Sequence, residues 1–245
     1  MKRGKLPRVS VLTSEAGKSK VLQIVRPRWK NRFVDEQKDL PRLERGKDMS
    51  RIFAFTDGVF AIAITLLVLQ IDVPPDITSN SGLWEGLRAE GPDFTAFAIS
   101  FMVIGLYWVS SHRFMRTVVE YDRGLMMLTL LYLAFVVLVP FTSQLMGEYG
   151  TDAPLSVAIY IVNLTVVAVA SGLMQHHVLK AKLGKSEYAW DTELSMKSTF
   201  FTAGVFVATI PLAFLIGPWT PLLWLGLRFD PFQLRRDRVY EKGGI

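Results

Sequence analysis

Five stretches of this 245-residue chain are long, apolar and almost free of charge: residues 52–71, whose one charge is Asp57, and residues 94–111, 125–146, 155–179 and 198–227. A helix crossing a hydrocarbon layer about 30 Å thick needs roughly 20 such residues at about 1.5 Å of rise each. Lipid offers no partner to backbone amides, so runs of this kind form helices that satisfy their own hydrogen bonds. A soluble domain of the same size would spread its apolar residues periodically between charges. The chain is therefore expected to be all-α and polytopic. The last run holds 30 residues, long for one crossing and short for two.

Charge decides between those counts, because Lys and Arg concentrate on cytoplasmic loops. The arm through Arg51 carries 15 of them, residues 112–124 carry three, 180–197 carry four and the tail after residue 227 carries five. Residues 72–93 carry Arg88 alone, among Asp72, Asp76, Glu85, Glu90 and Asp93, and residues 147–154 carry none. The basic tail joins the basic arm only if the number of crossings is even. Six transmembrane helices are expected, the fifth and sixth short and sharing 198–227, with a turn near Gly217-Pro218 where proline interrupts helical hydrogen bonding. Both termini are then cytoplasmic. Residues 1–50 form a basic arm, partly disordered; 51–227 form the six-helix domain; 228–245 form a basic tail. The expected location is the cell membrane.

The net charge of +6 is thus chiefly a record of topology. The arm lacks the apolar core of a secretory signal. Its segment 26–33 interleaves Arg26, Arg28, Lys30 and Arg32 with Trp29 and Phe33, which suits an anionic lipid leaflet at about 1 kcal/mol per cation. The plainer reading of the arm is a solvated topogenic segment. No recognition module accompanies its charge, so nucleic acid is not an expected partner. The absence of cysteine excludes disulfides, thiolate metal sites and a cysteine nucleophile.

Asp57 demands a partner, since a carboxylate within the membrane region costs several kcal/mol. Arg51 lies six residues earlier on a different face, and His112 sits at the same end of the second span. A polar cluster of Arg51, Thr56, Asp57 and His112 is expected, which either fixes helix packing or takes part in gating or proton sensing. Two stripes run along the same helix. Phe55, Val59, Ile62, Leu66 and Leu69 form an apolar seam in steps of four and three. Ala54, Gly58, Ala61 and Thr65 form a small-residue surface that lets helices approach closely. The seam reads either as ordinary core or as the lining of a symmetric pore, where it would make a hydrophobic constriction.

The run from Arg51 through Phe55-Thr56-Asp57 to Leu69 closely resembles the first-helix signature of the transmembrane protein 175 family of potassium channels, Arg-x-x-x-Phe-Ser-Asp followed by aliphatic residues. Tyr107-Trp108 through His112-Arg113 is similar to that family's Trp and His at the end of its second helix. Val139-Pro140-Phe141-Thr142 is similar to its Leu-Pro-Phe closure. Thr56 departs from the usual Ser, keeping the hydroxyl and adding a methyl. The resemblance covers about residues 50–227 and leaves the arm outside. It implies a single-unit chain forming a homotetramer with the first helix lining the pore. It further implies a constriction at Ile62, with Thr65 or Leu66 and then Leu69 below it. Arg51, Phe55, Thr56, Asp57, Trp108 and His112 would form the network behind the pore helix. The implied function is passive, potassium-favouring conduction, with potassium as cargo and no cofactor.

Other functions fit less well. A secondary ion or proton transporter would show matching halves with broken helices, and spans one to three do not visibly repeat in four to six. A structural membrane protein without conduction stays open. An enzyme would need a nucleophile with its base, or several ligands at one depth. Asp57, His112, His176 and His177 are the only candidates, and adjacent His residues point apart on a helix, so a solvated pair is expected there. Asn163, Thr165 and Ser171 read as packing groups, and Met126 and Met127 as core.

Overall fold

The computed structural model describes residues 49–75 and 77–236, with side chains described for all of these except 225–229. Apart from residues 49 and 50, the expected arm, including its lipid-facing segment 26–33, lies outside the described residues, as do the last nine residues of the tail.

The described residues are helical, with one isolated bridge between Val118 and Gly184. Five helices are long and apolar enough to cross a membrane. The first four, α1 (Met49–Gln70), α3 (Gly91–Met115), α4 (Arg123–Tyr149) and α5 (Pro154–Ala181), each match one apolar run to within four residues at either end. Between α1 and α3 lies a short helix, α2 (Asn80–Ala89), where the sequence reading had only a loop. Its signal is local: Ser79 accepts a hydrogen bond from the Gly82 amide at 3.1 Å, a side-chain cap of the kind that starts helices.

The fifth apolar run folds differently from two short spans meeting end to end. A continuous helix, α6 (Ala189–Ile216), begins nine residues before the run, because Asp191, Glu193 and Lys197 occupy its first turns. Lys197 pairs with Glu193 at 2.6 Å, four residues apart along one face. Apolar length marks the part of a helix that lipid can hold, not where the helix starts. The turn falls where proline and glycine predict it: Gly217 ends α6 with φ of 55°, a left-handed conformation that favours glycine. A 3-10 segment, Gly217–Phe229, then packs back along α6. Trp224 lies 4.6 Å from the Phe206 ring and donates its indole N–H to Thr209 at 3.3 Å. Buried Asp230 accepts a bond from Ser198, and the Phe232 ring meets Phe201 at 6.3 Å.

α5 is the centre of the bundle. Residues on every side of it are buried, among them Tyr160, Leu164, Ala168 and Met174, while α4 and α6 flank it. Lipid tails are as apolar as leucine, so close packing and buried hydrogen bonds hold such helices together. Ser100 of α3 donates to Ser143 of α4 at 2.8 Å and pairs with the Tyr160 hydroxyl of α5 at 2.9 Å, joining three helices at one point. Asn163 donates to Thr142 and to the Phe135 carbonyl, as a packing group would. Gly172 admits Phe200, since a Cβ there would lie 2.8 Å from the ring. Met126 and Met127, expected in the core, are exposed on the outer side of α4, because apolar residues facing lipid look like core residues in sequence.

The two ends of the bundle are tied separately. At one end the α3–α4 and α5–α6 loops are hydrogen-bonded, Val119 N–H to Leu183 at 2.8 Å and Lys185 N–H to Thr117 at 2.9 Å. At the other, the Gly217-Pro218 turn abuts Gly150 after α4.

Trp224→Ala should lower stability by about 3 kcal/mol, the usual range for emptying a buried aromatic site. Thermal unfolding of the detergent-solubilised protein checks this; an unchanged midpoint would mean the 3-10 segment is not held by this contact.

Candidate functional site

The two sides of α1 differ. Thr56, Phe60, Ala63 and Leu67 recur at steps of four, three and four and are buried, a spacing that 3.6 residues per turn keeps on one side. Phe60 lies 6.0 Å from the Tyr132 ring on α4, which meets Tyr107 of α3 at 6.5 Å. Tyr107 in turn donates its hydroxyl to the Leu164 carbonyl of α5 at 3.2 Å. At the far end Gln70 donates its side-chain amide to the Pro140 carbonyl. The first span thereby meets α4 directly along one stripe, and α4 and α3 link it onward to α5.

The opposite side is uncovered. Ile62 is 60% exposed, Leu66 39% and Leu69 74%. Thr65 is exposed too, and its hydroxyl donates to the Ile62 carbonyl at 2.9 Å, so it presents chiefly its methyl to a neighbour. The small stripe Ala54, Gly58 and Ala61 is likewise open, and a Cβ on Gly58 would meet nothing within 4 Å. Val59 alone of the expected seam is partly buried.

Four of the six expected network residues come together. Trp108 donates its indole N–H to Asp57 Oδ1 at 3.0 Å, and its ring lies 5.8 Å from His112. A small cavity between α1 and α3 is lined by Phe53, Thr56, Asp57, Ser111, His112, Met115 and Arg116. Thr56 is 3% exposed, and its hydroxyl has no hydrogen-bond partner among the described residues. Arg51 and Phe55 are exposed and do not line this cavity; Arg116, one turn beyond His112, supplies its arginine. Sequence reading missed Arg116, Ser111, Phe60 and Tyr132. For Phe60 a signal existed: Thr56, Phe60, Ala63 and Leu67 repeat in the same steps of four and three as the two stripes read from the sequence.

His176 is exposed, whereas His177, expected to be solvated with it, is half-buried and paired. His177 bonds both carboxylate oxygens of Asp122, at 2.9 and 3.0 Å, and Asp122 caps α4 through the Leu125 amide at 2.7 Å. That amide bond first, and His177 second, hold the Asp122 carboxyl below its usual value of 3.8. Among the described residues no group of three His, Asp or Glu could hold a metal ion.

A polytopic helical protein with this motif behind one span, and an aliphatic stripe uncovered on that span's other side, falls among the channel-forming membrane proteins. Comparison with known proteins agrees. The profile described as "Endosomal/lysosomal potassium channel TMEM175" matches residues 51–140. A potassium channel of Streptomyces collinus is 44% identical over 124 residues, 50% of this chain and 60% of its own length. One of Chamaesiphon minutus is 32% identical over 69% of this chain and 85% of its own. The crystal structure of a lysosomal potassium-selective channel TMEM175 homologue from the latter organism superposes with a TM-score of 0.65, at 30% identity, covering 77% of this chain and 98% of that one. The human relative, described as an endosomal/lysosomal proton channel, is 33% identical over 49% of this chain and 25% of its own. This chain belongs to the TMEM175 family, whose members are passive ion conductors and not enzymes.

Two outcomes follow. Asp57→Asn retains an acceptor for Trp108 and should be milder than Asp57→Ala, which loses about 1–3 kcal/mol with a bond to a charged group; thermal stability in detergent compares them, and equal losses would deny the indole bond. Because the Asp122 pKa is depressed on folding, its capping contribution is present above the usual carboxylate value and is lost as pH falls through the lower, folded one. Stability of the intact protein should therefore drop with acidification below about pH 4 more steeply than that of Asp122→Asn, as thermal scans across pH 6 to 3 would record.

Proposed function

We propose that this chain is a passive, potassium-favouring cation channel of the cell membrane, built as a homotetramer with α1 lining the pore. The observation that carries this reading is the division of α1 into a buried stripe and an uncovered aliphatic one. The open small-residue surface Ala54, Gly58 and Ala61 lets the same helix of a second copy approach closely. Placed around an axis, Ile62, Thr65, Leu66 and Leu69 form stacked apolar rings over about 10 Å, from seven residues at about 1.5 Å each. Such rings exclude water until they widen, which lets one structure serve as both barrier and gate. Potassium is the cargo and no resident cofactor is invoked.

The cluster at Thr56, Asp57, Trp108 and His112 then sets the rotation of α1 about its own axis. Arg51 and Phe55, open in the single chain, complete the network at the contact with a neighbouring copy. The division into a basic arm (1–50), a channel domain (51–227) and a basic tail (228–245) is retained, with anionic lipid as partner of the arm.

Six crossings fit the geometry of the last two elements. From Ser198 to Ile216, 18 steps at about 1.5 Å rise about 27 Å. The 13 residues of the 3-10 return, at about 2.0 Å each, descend about 26 Å, and Asp230 arrives beside Ser198. The tighter helix covers the same depth in fewer residues, which is how 30 residues can serve as two crossings. An even count leaves both termini with the hydrogen-bonded basic loops, on the cytoplasmic side.

Planar-bilayer recording of the purified protein tests the channel. Unitary currents with a reversal potential set by potassium are expected; a potential that follows pH would identify protons as the carried ion, as the description of the human relative suggests. Ile62→Asn should raise conductance several-fold and lower the preference for potassium over sodium. Unchanged conductance and selectivity in Ile62→Asn, Leu66→Asn and Leu69→Asn would remove these rings from the pore.

A further inference from the structure

Helix α2 has no part in the pore or in the cluster behind it, and its position and chemistry assign it another surface. Its side facing the protein is made of glycine. A Cβ on Gly86 would come 2.6 Å from Pro74, and one on Gly82 would come 3.2 Å from the Ser79 hydroxyl, so α2 is pressed onto the segment that precedes it. The other side carries Leu83, Trp84 and Leu87, all exposed, and none of the ten residues is buried. Arg88 stands over the Trp84 ring, 5.0 Å from its centroid. It is the sole Lys or Arg of residues 72–93.

The depth of α2 is fixed by its connection. Glu90 belongs to both helices: its N–H donates to Gly86 of α2 at 3.3 Å, and its carbonyl accepts from Phe94 of α3 at 3.0 Å. No linker intervenes, so α2 ends within one turn of the point where a membrane-crossing helix begins. A ten-residue helix at that level is too short to cross. Tryptophan and arginine are at home there, the indole with its apolar body at the edge of the hydrocarbon and the guanidinium among phosphates. Glu85 lies about 160° around the helix from Leu87, from two residues at about 100° each, and so faces away from that edge.

We propose that α2 is a membrane-surface helix, lying along the bilayer with Leu83, Trp84 and Leu87 in the boundary between headgroups and acyl chains and Arg88 at the lipid phosphates. It anchors the end of α1 and the start of α3 at a fixed depth. The single cation on this otherwise acidic stretch then has a place: it sits where a phosphate would meet it, stacked on the ring that sets its height.

The test uses the absence of cysteine from the chain. Leu83→Cys, Leu87→Cys and Glu85→Cys, each in the full-length protein, are spin-labelled and reconstituted in phosphatidylcholine vesicles. Collision rates are measured with oxygen, which concentrates in lipid, and with a water-soluble nickel chelate. The oxygen-to-nickel ratio should be several-fold higher at 83 and 87 than at 85. Equal ratios at the three sites would place the whole helix in water and overturn the proposal. So would labels at 83 and 87 shielded from both reagents, together with disulfide cross-linking of Leu87→Cys between copies, since a second copy would then cover this face. The readout needs no ion flux, so it stands or fails apart from the channel reading.

Discussion

Lipid removes the force that ordinarily brings helices together, and the architecture of this protein follows from how it is replaced. Apolar side chains gain nothing by leaving hydrocarbon for a protein core of equal polarity, so association depends on contact and on hydrogen bonds with no competing solvent. α5 supplies both. Its small residues admit neighbours, with Phe200 resting against Gly172. Its Tyr160 hydroxyl joins Ser100 and, through it, Ser143, binding three helices. Around this centre α4 and α6 are covered on one side, and the remaining surface is left to lipid or to other copies.

α1 is attached to that centre by one stripe only. Thr56, Phe60, Ala63 and Leu67 fasten it, the indole of Trp108 holds Asp57 at one end, and Gln70 reaches Pro140 at the other. A helix held at two ends and along one line has a defined rotation, and that rotation leaves Ile62, Leu66 and Leu69 uncovered. The indole bond to Asp57 adds a directional contact to the packing of that stripe. The polar cluster behind the span and the apolar stripe in front of it are thus two parts of one arrangement: one orients, the other is presented.

Much of this was legible in the residues. Four spans could be bounded within a few positions from apolar length alone, the Gly217-Pro218 turn was visible as a helix breaker, and the association of Asp57, Trp108 and His112 was readable from the family signature. The errors have separate causes. Met126 and Met127 look like core because lipid and core accept the same side chains. Arg51 and Arg116 both lie at a helix end, and only the path of α3 brings Arg116 to the cavity. α6 starts early because a helix continues where charge ends the membrane.

By itself the sequence determined the class of the molecule, a helical polytopic membrane protein of the TMEM175 family. Hydrophobic length and residue spacing are properties of a line and survive without a fold. Only the tertiary structure decided which side of α1 is covered, how 30 residues go out as an α-helix and come back as a 3-10 segment, and that Glu90 joins α2 to α3 without a linker. Each of these depends on contacts between residues far apart in the chain, such as Phe60 with Tyr132 and Ser198 with Asp230, and no local pattern encodes such a meeting.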